Sequence, residues 1–92
     1  MLIKAKAIAI NPQYAIAYNN RGNAKYGLKD YQGAIADYTM VIAINPQLAL
    51  AYKNRGIAKE LVGDLKGACA DWRKASSLGE KDTAEWVRDQ CQ

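Results

Sequence analysis

"AYNNRGNAK" occupies residues 17–25, and "AYKNRGIAK" occupies residues 51–59. The second stretch follows the first by 34 positions, and the likeness runs well past both. Residues 9–42, "AINPQYAIAYNNRGNAKYGLKDYQGAIADYTMVI", align without a gap on residues 43–76, "AINPQLALAYKNRGIAKELVGDLKGACADWRKAS", with 18 of the 34 pairs identical. A fixed period of this size marks a repeat architecture, in which each unit buries its apolar face by stacking on the next.

Each unit reads as two helices. In the first, the run around Ala17, Tyr18, Arg21, Gly22, Ala24, Lys25 and Leu28 is helical and opens with "NP". Asn11 is the expected N-cap, and Pro12 suits the first turn, where a missing N–H leaves nothing unsatisfied. The pattern breaks around Gly27 to Asp30, and Asp30 is placed to cap a second helix. In that helix Tyr31, Ala34, Ile35, Tyr38, Val41 and Ile42 keep the three-and-four spacing of one buried face. "NP" at 45–46 restarts the cycle. In the second unit Gly63 is a natural left-handed terminator and Asp64 the following cap.

Gly22 and Gly56 fall in mid-helix, where glycine costs about 1 kcal/mol relative to alanine. That cost implies a neighbouring helix approaching closely at both positions. Ala34 and Ala68 serve the same end on the second helix, while Tyr18, Tyr52, Tyr38 and Trp72 fill the space between turns.

These residues resemble the tetratricopeptide repeat, a 34-residue helix–turn–helix unit. The family's first aromatic corresponds to Tyr18 and Tyr52, its glycine to Gly22 and Gly56, and its second-helix alanine to Ala34 and Ala68. Its next aromatic corresponds to Tyr38 and Trp72, and its proline to Pro12 and Pro46. There are departures. Arg21 and Arg55 replace the usual leucine, Lys25 and Lys59 the usual tyrosine, and Val41 a small alanine. Glu80 stands where a third proline would fall. An arginine at a normally buried position needs a partner, and Asp37 and Asp71, in the repeated "AD(Y/W)", are the expected ones.

The resemblance implies an all-α fold, a right-handed α-solenoid of stacked antiparallel helix pairs forming one domain over 1–92. Two full units, 13–46 and 47–80, are flanked by half-repeats. Residues 2–10 map onto the second helix of a partial repeat. Residues 81–92 map onto a terminal capping helix with Trp86 at the aromatic position. Such ragged ends suggest a piece of a longer array.

Composition narrows the function. The 92 residues carry 13 Lys and Arg against 9 Asp and Glu, a net charge of +4, with the basic residues scattered. Nucleic-acid binding calls for a basic cluster with interleaved aromatics; none is visible, so no nucleic-acid partner is expected. Histidine is absent. Cys69 and Cys91 lack metal-ligand spacing, so no metal or cofactor is expected. A disulfide between them stays open, although nothing points to an oxidising compartment, and the expected location is cytoplasmic. "MLIKAKAIAI" is too short and too charged to span a membrane and lacks a cleavage pattern; no membrane partner is expected. With no nucleophile motif, phosphate loop or paired carboxylates, enzymatic activity is not expected.

Stacked helix pairs offer a concave surface. In the resembling family the first helix of each unit lines it, and an extended peptide or partner helix lies there. The positions implied here are Ile16, Asn19, Asn20, Asn23 and Tyr26 in the first unit and Leu50, Lys53, Asn54, Ile57 and Glu60 in the second. Ala84, Val87, Arg88 and Cys91 follow from the terminal helix. The peptide groove is assigned to Asn19, Asn20, Asn23, Tyr26, Lys53, Asn54, Ile57 and Arg88. Asparagine amides both donate and accept, so they can read a peptide backbone, and Lys53 and Arg88 can meet an acidic group. One subgroup of the family clamps the terminal carboxylate of heat-shock chaperones with five groove residues. Asn23, Asn54 and Arg88 match that set, whereas Asn19 and Ala84 stand in place of its two lysines. The expected function is a protein-interaction scaffold. The alternative is a self-assembling element, a homo-oligomer built by head-to-tail pairing of its terminal half-repeats.

Overall fold

The computed structural model describes residues 12–91. Among them are five helices and no strand: α1 (Pro12–Gly27), α2 (Tyr31–Ile44), α3 (Ala49–Leu61), α4 (Leu65–Ser77) and α5 (Lys81–Gln90). Each packs on the next in sequence, giving an all-α solenoid of helix pairs. The expected helix at 2–10 and the Asn11 cap lie outside the described residues.

One turn device recurs. After α1, the N–H of Asp30 donates to the Lys25 carbonyl at 2.8 Å and that of Lys29 to Tyr26 at 3.0 Å. Asp64 and Gly63 repeat this after α3, and Glu80 and Gly79 after α4. This double closure needs a left-handed residue just past the helix. Gly63 (φ 88°) and Gly79 (φ 106°) supply it, but after α1 the residue is Lys29 (φ 63°). Gly27 stays inside α1, so the break expected at Gly27 to Asp30 turns on a lysine. Asp30 and Asp64 then cap α2 and α4, accepting from the N–H groups of Gly33 at 3.0 Å and Gly67 at 2.9 Å.

Pro12 lies within α1, whereas α3 begins at Ala49, three residues beyond Pro46. The Asn45 N–H closes α2 on the Val41 carbonyl at 2.8 Å. The Asn45 side chain accepts from the Gln47 N–H at 3.3 Å. The Tyr52 hydroxyl ties the same turn to α3 by donating to the Pro46 carbonyl at 3.0 Å. This Asn–Pro pair therefore ends one helix and does not open the next.

Ala15, Val41 and Ala51 form the centre where α1, α2 and α3 meet, with Tyr18, Ile42, Ile44 and Leu48 packed around them. The mid-helix glycines answer to aromatic rings. A Cβ on Gly22 would lie 2.9 Å from Tyr38 Cε1, and one on Gly56 2.5 Å from Trp72 Nε1. Glycine lets the edge of the second-helix ring lie against the backbone of the first helix.

The departures from the family pattern act together. Asp37 and Asp71 are buried. Arg21 grips Asp37 through two parallel bonds of 2.8 and 2.7 Å, and Lys25 adds a contact at 3.4 Å. Arg55 holds Asp71 at the same two distances, joined by Lys59 at 3.2 Å. Each buried carboxylate thus meets a guanidinium and an ammonium from the first helix of its own unit. The hydrogen bonds from Arg21 hold the Asp37 carboxyl below its ordinary range; burial opposes this and Lys25 assists it. Arg55 also donates to Thr39 Oγ1 at 3.1 Å, tying α3 to the preceding unit.

Cys69 on α4 and Cys91 just beyond α5 form a disulfide. It pins the end of the last helix to the second unit, alongside an edge-on contact of Trp72 with Trp86 at 5.2 Å. Disulfides persist in oxidising compartments and are rare in the cytosol. In a reducing cytoplasm, the location expected from the sequence, the docking of α5 would rest on the tryptophan pair and the ion pairs of Lys53. No helix among the described residues is long and apolar enough to cross a membrane.

Candidate functional site

Four of the eight expected groove residues converge. Asn23 and Tyr26 from α1 and Asn54 and Ile57 from α3 line one depression of about 270 Å³, with Tyr38 of α2 as its inner wall. The heptad-like offsets 23/26 and 54/57 place these side chains on one face of each first helix. Tyr26 is braced edge-on by Tyr31 at 5.5 Å.

Tyr38 reads from the sequence as core, and its ring is 2% exposed. Its hydroxyl donates to Asn23 Oδ1 at 2.6 Å, and burial pushes its pKa up. That bond engages the Asn23 carbonyl oxygen and leaves its NH₂ group as a donor on a residue that lines the depression. Asn54 makes no hydrogen bond with any described residue, so its amide retains both donor and acceptor. A buried tyrosine hydroxyl needs a partner, and that need was the sequence signal for Tyr38. In the second unit Ile57 stands where Asn23 stands and Trp72 where Tyr38 stands. The Trp72 Nε1 has no acceptor among the described residues.

A second depression of about 240 Å³ adjoins the first and shares Ile57; its other walls are Glu60, Trp72, Trp86 and Gln90. Trp72 reads from the sequence as a packing residue and Trp86 as the aromatic of a terminal capping helix, while Gln90 carries no sequence signal. The α5 helix builds this wall, and its placement against α4 cannot be read from spacing.

The remaining expected residues are not brought in. Asn19 and Asn20 lie on α1 outside both depressions. Lys53 is engaged, with Asp82 at 3.1 Å and Glu80 at 3.5 Å, and its Nζ lies 5.5 Å from the Trp86 ring centroid. The hydrogen bond to Asp82 is the main cause of its raised pKa. Arg88 lies near the end of α5, with Glu85 at 4.0 Å and Asp89 at 3.7 Å, apart from the asparagine pair. Cys91 is held in the disulfide and offers no free thiol to a groove. Among the described residues no group of three His, Cys, Asp or Glu is placed to hold a metal ion.

The family model of the tetratricopeptide repeat matches residues 15–48, from α1 through the turn before α3. No curated protein matches the chain. The family match supports a tetratricopeptide repeat protein or a fragment of one.

Proposed function

We propose, from the premise that this is a tetratricopeptide repeat chain, that it is a non-catalytic interaction scaffold holding an extended peptide along the face of α1, α3 and α5. Repeats of this family generally mediate protein–protein interaction. The observation that carries the reading is the depression between α1 and α3, where Asn23 and Asn54 present amide groups beside Tyr26, Tyr38 and Ile57. Paired amides meet main-chain N–H and C=O groups without regard to side chain, and the adjacent rings supply apolar contact. The division into units at 13–46, 47–80 and 81–92 is part of this proposal.

A carboxylate clamp draws less support, because Asn19 and Ala84 stand in place of its two lysines and Lys53 is occupied by two acids. End-to-end assembly also draws less, because the outer face of α5 presents Glu85, Arg88 and Asp89 to solvent, a polar surface for a second copy to cover. Panning a random peptide library against the chain and an Asn54→Ala variant tests the reading. Enrichment on the parent and its loss on the variant is the expected result. Equal enrichment on both would remove the asparagine pair from the site, and a mass that rises with concentration would favour assembly.

A further inference from the structure

The depression between α3 and α5 has a chemistry of its own. Its walls are two indoles, an aliphatic side chain, an amide and one carboxylate. That carboxylate, Glu60, is half-buried and has no ion-pair or hydrogen-bond partner among the described residues. Two acids near it, Glu80 and Asp82, both serve Lys53, whose Nζ approaches Trp86. Glu80 and Asp82 outweigh Lys53 by one charge and Arg55 and Lys59 outweigh Asp71 by one, so these neighbours cancel and Glu60 is left as the uncompensated charge of the depression, although the chain as a whole carries +4. At contact distance the local charges decide, since charges beyond about 8 Å are screened at physiological salt.

Trp86 already accepts one cation, with Lys53 Nζ 5.5 Å from its ring centroid. Its edge-on contact with Trp72, at 67° between planes, fixes the orientation of the ring. An indole held in this way, next to an unpaired carboxylate, suits a flat cation that can stack and hydrogen-bond together.

We infer that the Trp86–Glu60 depression takes the guanidinium of an arginine side chain from the bound peptide. The guanidinium donates a parallel pair of hydrogen bonds to Glu60 and stacks on Trp86, and the Gln90 carbonyl accepts a further N–H. Ile57 separates this position from the asparagine pair, so the peptide backbone lies across Asn23 and Asn54 while its arginine enters the next depression. The specificity rests on the groove reading above, and the experiment separates the two.

The probes are acetyl-Ala-Arg-Ala-amide and its citrulline counterpart, which has the same shape without the charge. Each is titrated into the full chain, and the Trp86 indole N–H signal is followed by NMR, assigned with Trp86→Phe. The arginine probe is expected to shift that signal saturably and to bind about tenfold more tightly than the citrulline probe, as a charge-assisted pair on an indole would give. In Glu60→Gln the two probes should bind alike. The Glu60 side chain has no ion pair or hydrogen bond among the described residues, and Gln keeps its shape, so this variant is expected to keep the helix content of the parent, which circular dichroism checks. Equal binding of both probes to the parent, or a preference untouched by Glu60→Gln, overturns the inference. If library peptides still depend on Asn54 in that case, the groove stands and only its arginine preference falls; if they do not, both fall.

Discussion

Gly56→Ala sets helix propensity against packing, and the structure decides which wins. Alanine in mid-helix is favoured over glycine by about 1 kcal/mol. Against that, the new Cβ would lie 2.5 Å from Trp72 Nε1, 2.6 Å from Cδ1 and 3.2 Å from the Ala68 carbonyl. The ring is 1% exposed, so it cannot swing into solvent, and the carbonyl behind it belongs to α4 backbone. Forcing a methyl into a packed site costs about 1–3 kcal/mol, sometimes more. The overlap here is close to 1 Å, which puts it at the upper end, so a net loss of about 1–2 kcal/mol is expected after the propensity gain. In a domain of this size that lowers Tm by about 4–8 °C for each kcal/mol. Urea titration followed by circular dichroism measures it, with Gly27→Ala as the control. Gly27 has nothing within 4 Å of its virtual Cβ, so alanine there should be neutral or stabilising. A Gly56→Ala chain as stable as the parent would refute the claim that Trp72 lies against that backbone.

Lys29 occupies a left-handed position filled by glycine in the later turns; Lys29→Gly should stabilise by about 0.5–1 kcal/mol in the same titration, and a loss of stability would contradict the turn assignment. Asp37 should make stability depend on pH. Its folded pKa is below the ordinary value of 3.8, so unfolding takes up a proton between the two values. The contribution is complete above about pH 5 and is lost as pH falls through the folded value. Asp37→Asn should flatten this acid limb, and an unchanged limb would place the acid sensitivity elsewhere. Reduction of Cys69–Cys91, which are 22 residues apart, should lower stability by about 3 kcal/mol if unfolding is cooperative. Thermal melts with and without dithiothreitol read this, with the thiol count confirmed by mass. Equal melts would mean that α5 contributes little to global stability.

The repeat alone determined most of the fold. A 34-residue period with two apolar helical faces has few solutions beyond stacked helix pairs, because neither helix can bury its stripe alone. The aspartate caps, the glycine turn at Gly63 and the Arg–Asp pairs were also legible. Each answers a local need: an unsatisfied N–H, a left-handed residue, a buried charge. That Asn23 shares a helix face with Tyr26, and Asn54 with Ile57, was legible too, since 3.6-residue geometry fixes which positions share a face. What remained hidden depended on how one helix lies against another. Lys53 reads as a free cation until α5 brings Glu80 and Asp82 to it. Tyr38 and Trp72 read as plain core until their ring edges meet α1 and α3. Glu60 stands beside two indoles only because α5 docks where it does. Sequence spacing sets the direction of a side chain from its own axis, whereas a partner on another helix is set by crossing angle and register, and those are decided by the packing of the whole solenoid.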